Sequence, residues 1–338
     1  MAFRVSLFVG LALAAIVFAA PSSRADEVVL KFATLDQPEA HHIVAIHRPW
    51  AQRINEQGKG VLQIDQRDGP GVAIHPNVYS RVMNDVIQVA WGLQSSVAGK
   101  FRLTEVVSMP FLSDRSAIGS VALWRLYKSG MLDGEYDEIV MLKCNVFPQS
   151  GMQFRVAPKT LDNLNGLKMV AGSRTAGEII EAQGGAPVTM LPSDYYETLN
   201  RGTADGVMVG WTAFQPFKLA EVTKYHVEMS LGGASGMVFM PKSKYSALPE
   251  AAKKILDANA TEKDTREFGQ FWDKINDDTA AQVKGMSGHT VVAPSAQQLV
   301  VWRERMAPLS DAWVKRTPGG DKALAAYKQY LADVAKGS

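Results

Sequence analysis

The chain has 338 residues, 46% hydrophobic and 21% charged, with 36 Lys and Arg against 34 Asp and Glu, a formal +2. This is globular composition with room for one large domain or two medium ones, and it excludes general disorder, collagen and coiled coil. The near balance of charge points to no nucleic acid and no cationic partner, and the single cysteine, Cys144, excludes a disulfide scaffold and a zinc site of several thiolates.

Arg4 precedes an apolar run from Val5 to Ala20, followed by Pro21 and the small residues Ser23 and Ala25. The run is shorter than the ~20 residues that span a bilayer, so residues 1–25 are expected to be a cleaved secretory signal rather than an anchor. Cleavage after Ala25 fits best, after Ala20 second, and no later stretch is apolar enough to span a membrane. The mature chain then begins near Asp26, soluble outside the cytoplasm. The segment carries Arg4, Arg24 and no acid, so the mature protein is formally neutral.

Along that chain, short β-rich runs alternate with helical patterns. Strands are expected at Val28–Ala33, Val61–Ile64, Val86–Trp91, Ile139–Asn145, Met152–Val156, Leu167–Ala171, Val188–Leu191, Val207–Trp211 and Met237–Met240. Helical spacing marks His42–Gln57, with Ile43, Ile46, Trp50 and Ile54 on one face, and Thr175–Gln183, which stops at Gly184-Gly185. Asp194 and Glu197 have capping-box spacing at the head of Asp194–Arg201. Such alternation predicts α/β units with mainly parallel sheets. Two stretches echo each other: Tyr79, Asn84, a short strand and Trp91-Gly92, then Tyr195, Asn200, a short strand and Gly210-Trp211. The echo fits two lobes of similar build, each presenting a tryptophan at a strand end, where open α/β sheets bind ligands. Pro249 to about Met286 reads as one long helix or two joined ones, long enough at 1.5 Å per residue to run along both lobes. Gly269 inside it is tolerable at a cost of ~1 kcal/mol. Trp302–Trp313 and Asp321–Val334 supply further helices.

Catalytic and cofactor signatures do not appear: no G-x-G-x-x-G, Walker loop, H-E-x-x-H or G-x-S-x-G. Gly232-Gly233-Ala234-Ser235-Gly236 has the wrong spacing for a nucleophile loop and reads as a flexible connection between lobes. Cys144 lies in an apolar strand pattern, so a buried inert thiol is expected. His41, His42 and His47 lack a ligand pair at i, i+4 and read as capping or surface histidines, with no metal site. Asp205-Gly206 reads as a tight turn.

One block is more specific. It holds Gly166-Leu167-Lys168, then Gly184-Gly185-Ala186-Pro187-Val188-Thr189-Met190, then Ser193 to Gly206 (SDYYETLNRGTADG), then Glu221-Val222-Thr223-Lys224-Tyr225. Together with Met109-Pro110-Phe111-Leu112 and Leu248-Pro249-Glu250, this ordered set resembles the DctP-type solute-binding proteins of tripartite ATP-independent periplasmic (TRAP) transporters. The resemblance covers nearly the whole mature chain. It implies a two-lobed periplasmic binding protein fold with crossing hinge strands and a long helix spanning both lobes. Lobe I would hold residues 26–150 plus about 236–276, and lobe II 151–235 plus about 277–338. It also implies a periplasmic protein, no enzyme and without a cofactor, that closes on a small molecule and delivers it to membrane permease subunits; a monomer is the default expectation, although some relatives dimerise through an altered C-terminal helix.

Departures from the family pattern bear on the ligand. Relatives grip a carboxylate with an arginine two residues after the lysine of "GLK", a place taken here by Val170. A second usual arginine aligns with Gln153, and a usual asparagine with Val209. Burying a lone carboxylate without a cation is costly. Either Arg155 or Arg174 substitutes, or the solute is amine-bearing or neutral. Trp91 and Trp211 could cage a cation or sandwich a ring, and Asp36 could face the same ligand. A secreted α/β enzyme or a receptor serving a sensor are the alternatives of other classes.

Overall fold

The computed structural model describes residues 27–337, so the proposed signal segment lies outside the described residues. In chain order the first lobe begins with β1 (Val28–Ala33), α1 (Arg48–Gln57), β2 (Leu62–Arg67), α2 (His75–Met83) and β3 (Val89–Leu93). It continues with α3 (Ser116–Lys128), α4 (Asp133–Tyr136) and β4 (Ile139–Val146). The chain crosses to the second lobe for β5 (Gly151–Phe154), β6 (Lys168–Ala171), α5 (Arg174–Ala182), β7 (Ala186–Thr189), α6 (Tyr195–Asn200), β8 (Gly206–Val209), α7 (Leu219–Val222) and β9 (Tyr225–Val227). It returns for β10 (Ser235–Pro241), α8 (Lys242–Ser246), α9 (Glu250–Ala258) and α10 (Glu262–Lys284), and ends with β11 (Thr290–Val292), α11 (Ala296–Arg316) and α12 (Gly320–Ala335).

Two sheets result, ordered β2-β1-β3-β10-β4 and β11-β9-β5-β8-β6-β7. In the first, β1, β2 and β3 are parallel while β10 runs antiparallel to β3 and β4. In the second, β6, β7 and β8 are parallel while β5 runs antiparallel to β8 and β9. The echo noticed in sequence is therefore a repeat of structure: α2–β3 and α6–β8 hold the same place in each lobe. Each lobe has apolar clusters on both faces of its sheet, as parallel strands buried on both sides require.

Residues 147–150 and 228–234 cross between the lobes side by side. Phe147 N donates to Ala234 O (2.8 Å), Ser150 N to Gly232 O (2.9 Å) and Leu231 N to Ser150 O (3.0 Å). The glycine-rich stretch is thus a hydrogen-bonded ribbon rather than a loose connection.

The expected long helix is two helices, broken at Asn259–Ala260 and restarted by a capping box of Thr261 and Asp264. Phe268 and Trp272 of α10 pack in the first lobe, while Val283 packs in the second. Gly269 is more than tolerated. A Cβ there would sit 2.5 Å from Ala117 Cα and 2.7 Å from Ala117 N, so glycine is what lets α10 lie against α3.

The C-terminal expectation needs correction. Trp302 and Met306 of α11 are buried in the second lobe, but Trp313 and then Ala323, Tyr327 and Leu331 of α12 are buried in the first. Tyr327 Oη donates to Gly119 O of α3 at 3.3 Å. Residues 277–338 therefore do not form one lobe's tail; α11 is a second bridge, with Pro308 between its two attachments. Asp194 makes no side-chain cap, because Pro192–Asp194 already turns as a 3₁₀ segment into α6. Cys144 is fully buried with its thiol pushed up by burial. No helix among the described residues is long and apolar enough to cross a membrane.

Replacing Gly269 with alanine should force backbone apart at the α3–α10 contact and destabilise the protein by about 1–3 kcal/mol. Urea denaturation of the variant checks this.

Candidate ligand-binding cleft

The parallel strands of both lobes end toward a common cleft, and the loops that follow them supply its walls. On lobe I, β1 runs into Thr34 to His42. Thr34 Oγ1 donates to Asp68 Oδ1 (2.7 Å), and Arg48 donates to Pro38 O (2.9 Å) and Asp68 Oδ2 (3.3 Å), tying this loop to the one after β2. A π-type turn over Ile43–His47 leads into α1. Such wide turns are frequent at functional sites because they re-aim the side chains beside them.

Here they turn two histidines inward. His42 and His47 are buried, which corrects the expectation of capping or surface residues. The His42 ring lies 5.0 Å from Trp91 and stacks at 5.7 Å on Trp272. His75, opening α2, meets Trp91 edge-on at 5.4 Å, and Phe147 packs on Trp272 at 4.7 Å. His47 lies deeper, edge-on to Phe32 and Phe268, and its pKa is held well below 6.5 by burial, with Lys143 and His42 adding. The His75 pKa is also lowered by burial, against the pull of Asp36. Asp36 Oδ2 stands 3.2 Å from His42 Nε2. Trp91 Nε1 donates to Asn145 Oδ1 at 3.4 Å, and Gly236 on β10 leaves room for both: a Cβ there would be 2.8 Å from Asn145 Oδ1. Around this cluster, His47 Nδ1 and Nε2, His75 Nδ1, Asn145 Nδ2 and Trp272 Nε1 are buried without a hydrogen-bond partner among the described residues.

Lobe II is the opposite case. Val170 is fully buried beside Tyr195 and Val207. Gln153 is buried with both amide atoms in use: Nε2 donates to Val209 O (3.0 Å), which leaves Oε1 to accept from His226 Nδ1 (2.9 Å). The His226 tautomer is thereby set, and Nε2 must accept from His289 Nδ1 (3.0 Å), whose own Nε2 accepts from Lys224 Nζ (3.2 Å). The result is a one-way chain of donors from a surface lysine to the carbonyl at the cleft end of β8. His226 also packs against Trp211 (5.3 Å) and Phe214 (5.4 Å). Burial lowers its pKa to about 4, with His289 and Lys224 contributing.

The two arginines offered as substitutes stand elsewhere. β5 ends at Phe154, opposite Gly206, and Arg155 N donates to Asp205 O at the end of the sheet away from Val209. The Arg155 guanidinium lies over the Gly202 turn. Arg174 opens α5 with a largely exposed side chain paired to Glu178 at 2.9 Å. Trp91 and Asp36 thus join one cluster on lobe I, Gln153, Val209 and Trp211 another on lobe II, and Val170 lies in the core behind the second. Across the cleft, Gln215 Nε2 donates to His41 Nε2 at 3.4 Å. No group of three or more His, Cys, Asp or Glu among the described residues could hold a metal ion.

Residues 34–317 match the family of bacterial extracellular solute-binding proteins, family 7 (DctP), and the chain belongs to that family. Its fold is that of TRAP solute-binding proteins, which bind small molecules and work with membrane transporter components. A marine metagenome TRAP solute-binding protein specific for aromatic acid ligands, solved with 3-hydroxybenzoate, is similar at 24% identity and a TM-score of 0.84, over 91% of this chain and 99% of that one. One from Rhodoferax ferrireducens with copurified benzoate has 23% identity and a TM-score of 0.83 over the same shares. The outer membrane transporter protein TsaT of Comamonas testosteroni is 25% identical over 334 residues, 94% of this chain and 96% of its own.

His42, His75, Trp272, Asn145 and His226 were not anticipated. Trp272 was readable as part of an apolar helix face, but nothing in sequence separates a cleft-facing tryptophan from a core one.

Two outcomes are expected. Arg155→Ala should leave ligand affinity within about twofold, by calorimetry, because its side chain lies away from the cleft. His226 is held neutral, so its contribution to stability is complete above the unfolded value near 6.5 and is lost as pH falls toward about 4. Between pH 7 and 5 the loss in His226→Gln should be smaller than in the native protein by about 1–2 kcal/mol, read from denaturation curves.

Proposed function

We propose that this protein captures a small aromatic acid between its lobes, in the periplasm, and delivers it to the membrane subunits of a TRAP transporter. The observation that carries this reading is the pair of ring-faced walls. Trp91, Trp272 and His42 pack together on one lobe's side of the crossing ribbon, and Trp211, which lines a pocket there, meets Phe214 at 4.7 Å on the other. Ring faces of this kind favour a planar apolar body in offset or edge contact. The aromatic acids named for structurally similar proteins support it.

The rest of the assignment follows the same reading. Residues 1–25 are the export signal and the mature chain works as a monomer without a cofactor. Lobe I comprises 26–150, about 236–276 and the C-terminal helix α12, and lobe II comprises 151–235 with the segment around β11 and the start of α11. Hinge closure around the ligand, not turnover, is the function. Asp36 favours a second reading, an aromatic amine, since its carboxylate is half exposed beside the rings. His42 Nε2 stands 3.2 Å from that carboxylate, which leaves less room beside it for an added cation.

A ligand that binds only the folded form stabilises it by about 2.7 kcal/mol at one hundred times its Kd. Benzoate, 3-hydroxybenzoate and mandelate should each raise the melting temperature by a few degrees, while succinate, choline and phenethylamine should not. A shift with phenethylamine alone would establish the amine reading instead.

A further inference from the structure

Resting on the aromatic-acid reading, we infer that the acid group of the ligand is held by lobe I, with nitrogens of His75, Asn145, Trp272 and His42 as its donors, and that lobe II receives only the ring. This inverts the end at which the family's arginine would place the charge.

Two separate observations lead there. On lobe I, the Trp272 indole can only donate, and the Asn145 amide has its oxygen engaged by Trp91 Nε1, so its nitrogen can only donate. Both nitrogens are buried and unpaired, as is His75 Nδ1. Buried donors left without acceptors are costly, so a cluster of them calls for a partner that only accepts. A carboxylate or sulfonate is such a partner. His42 Nε2 is close to Asp36 Oδ2 but lacks hydrogen-bond geometry to it, so this ring can turn toward an incoming anion.

On lobe II, the corresponding groups are spent. Gln153 uses its nitrogen on Val209 O and its oxygen on His226, and the chain through His289 to Lys224 uses both nitrogens of each imidazole. Val170 is sealed in the core. The one unpaired buried nitrogen of that lobe among the described residues belongs to Gln183, at the end of α5 beside Arg305, far along the chain from the cleft loops.

The charge balance is consistent. The charged groups acting on His75 are Asp36 and His42, and those acting on His47 are Lys143 and His42. An anion entering this cluster favours protonated imidazole, so the complex takes up protons and affinity for the acid rises as pH falls from 8 toward 6. A neutral isostere has no such dependence.

Calorimetry with benzoate and benzamide tests this on the mature protein and three variants. His75→Phe and Trp272→Phe should each weaken benzoate by about 10–100-fold, leave benzamide nearly unchanged, and His75→Phe should flatten the pH dependence. Arg174→Ala, which removes an exposed lobe II cation paired to Glu178, should stay within about threefold of the native protein. Circular dichroism of the unliganded variants reports folding, and Trp272→Phe, which keeps a ring against Phe147, carries the test if His75→Phe does not fold. The inference is overturned if both lobe I variants retain benzoate affinity and its pH dependence, or if Arg174→Ala loses it. Native protein that binds benzamide but no benzoate overturns it too, and native protein that binds neither overturns the aromatic-acid reading together with it.

Discussion

The carboxylate of Asp273 closes the N-terminus of α3, accepting from Ser116 N at 2.7 Å and Ala117 N at 3.0 Å. Burial pushes its pKa up, and the two backbone donors with Arg115 at 3.4 Å work against that rise. A helix N-terminus has unpaired N–H groups and positive partial charge, so a carboxylate there is doubly matched. What makes this contact matter is its position. Asp273 follows Trp272 on α10, one turn past Gly269, where the backbones of α3 and α10 touch. Fixing α10 at this point sets Trp272 against His42, brings Asn276 to the crossing ribbon and carries Val283 into the second lobe. The helix is the rigid reference against which the two lobes are set.

The lobes repeat one topology yet differ in how their polar groups are satisfied. In lobe II a chain of four side chains ends on Val209 O, and each donor has its acceptor. A fully satisfied buried network is rigid and specifies one arrangement. In lobe I the matching region holds several rings with a nitrogen that has no hydrogen-bond partner among the described residues, while Trp91 Nε1 is paired, to Asn145. Such an arrangement is poor economy for a folded core alone, and its cost is sensible only if something completes it. The contrast is between a finished wall and an open one.

Much of the architecture was legible. The alternation of β-rich runs with helical spacing, the echo of Tyr79–Trp91 in Tyr195–Trp211, and the long C-terminal helical pattern all correspond to observed elements. The failures share a cause: periodicity gives the face of an element, not its partner or its end. The apolar face of α12 was visible in Ala323, Tyr327 and Leu331, but not that α3 would cover it. Strand alternation put Arg155 on the side of Gln153, yet β5 stops at Phe154, so Arg155 leaves the sheet at the end away from the cleft. His42 and His47 looked like surface residues because polar type outweighed position; the π-type turn that buries them has no sequence signal of its own. Of the candidate site, the sequence pointed to the tryptophans at the two strand ends, while the buried histidines and amides around them carried no signal of their own.

With 36 Lys and Arg against 34 Asp and Glu, the chain has little long-range field with which to draw in an anion, so recognition must come from groups within a few ångströms. Histidines suit that requirement differently from arginine. An arginine is charged whether or not the cleft is filled, and burying it empty is expensive. Imidazoles stay neutral in an empty, ring-lined pocket, as burial dictates for His47 and His75, and take a proton only when an anion makes it favourable. The same rings that lower the imidazole pKa supply the faces that hold an aromatic body. On the reading proposed above, closure brings Trp211, steadied by the His226 chain, toward a ligand whose charge is covered on lobe I. In that arrangement the loss of arginine at Val170 and Gln153 is not a gap in the site but the condition for an apolar second wall.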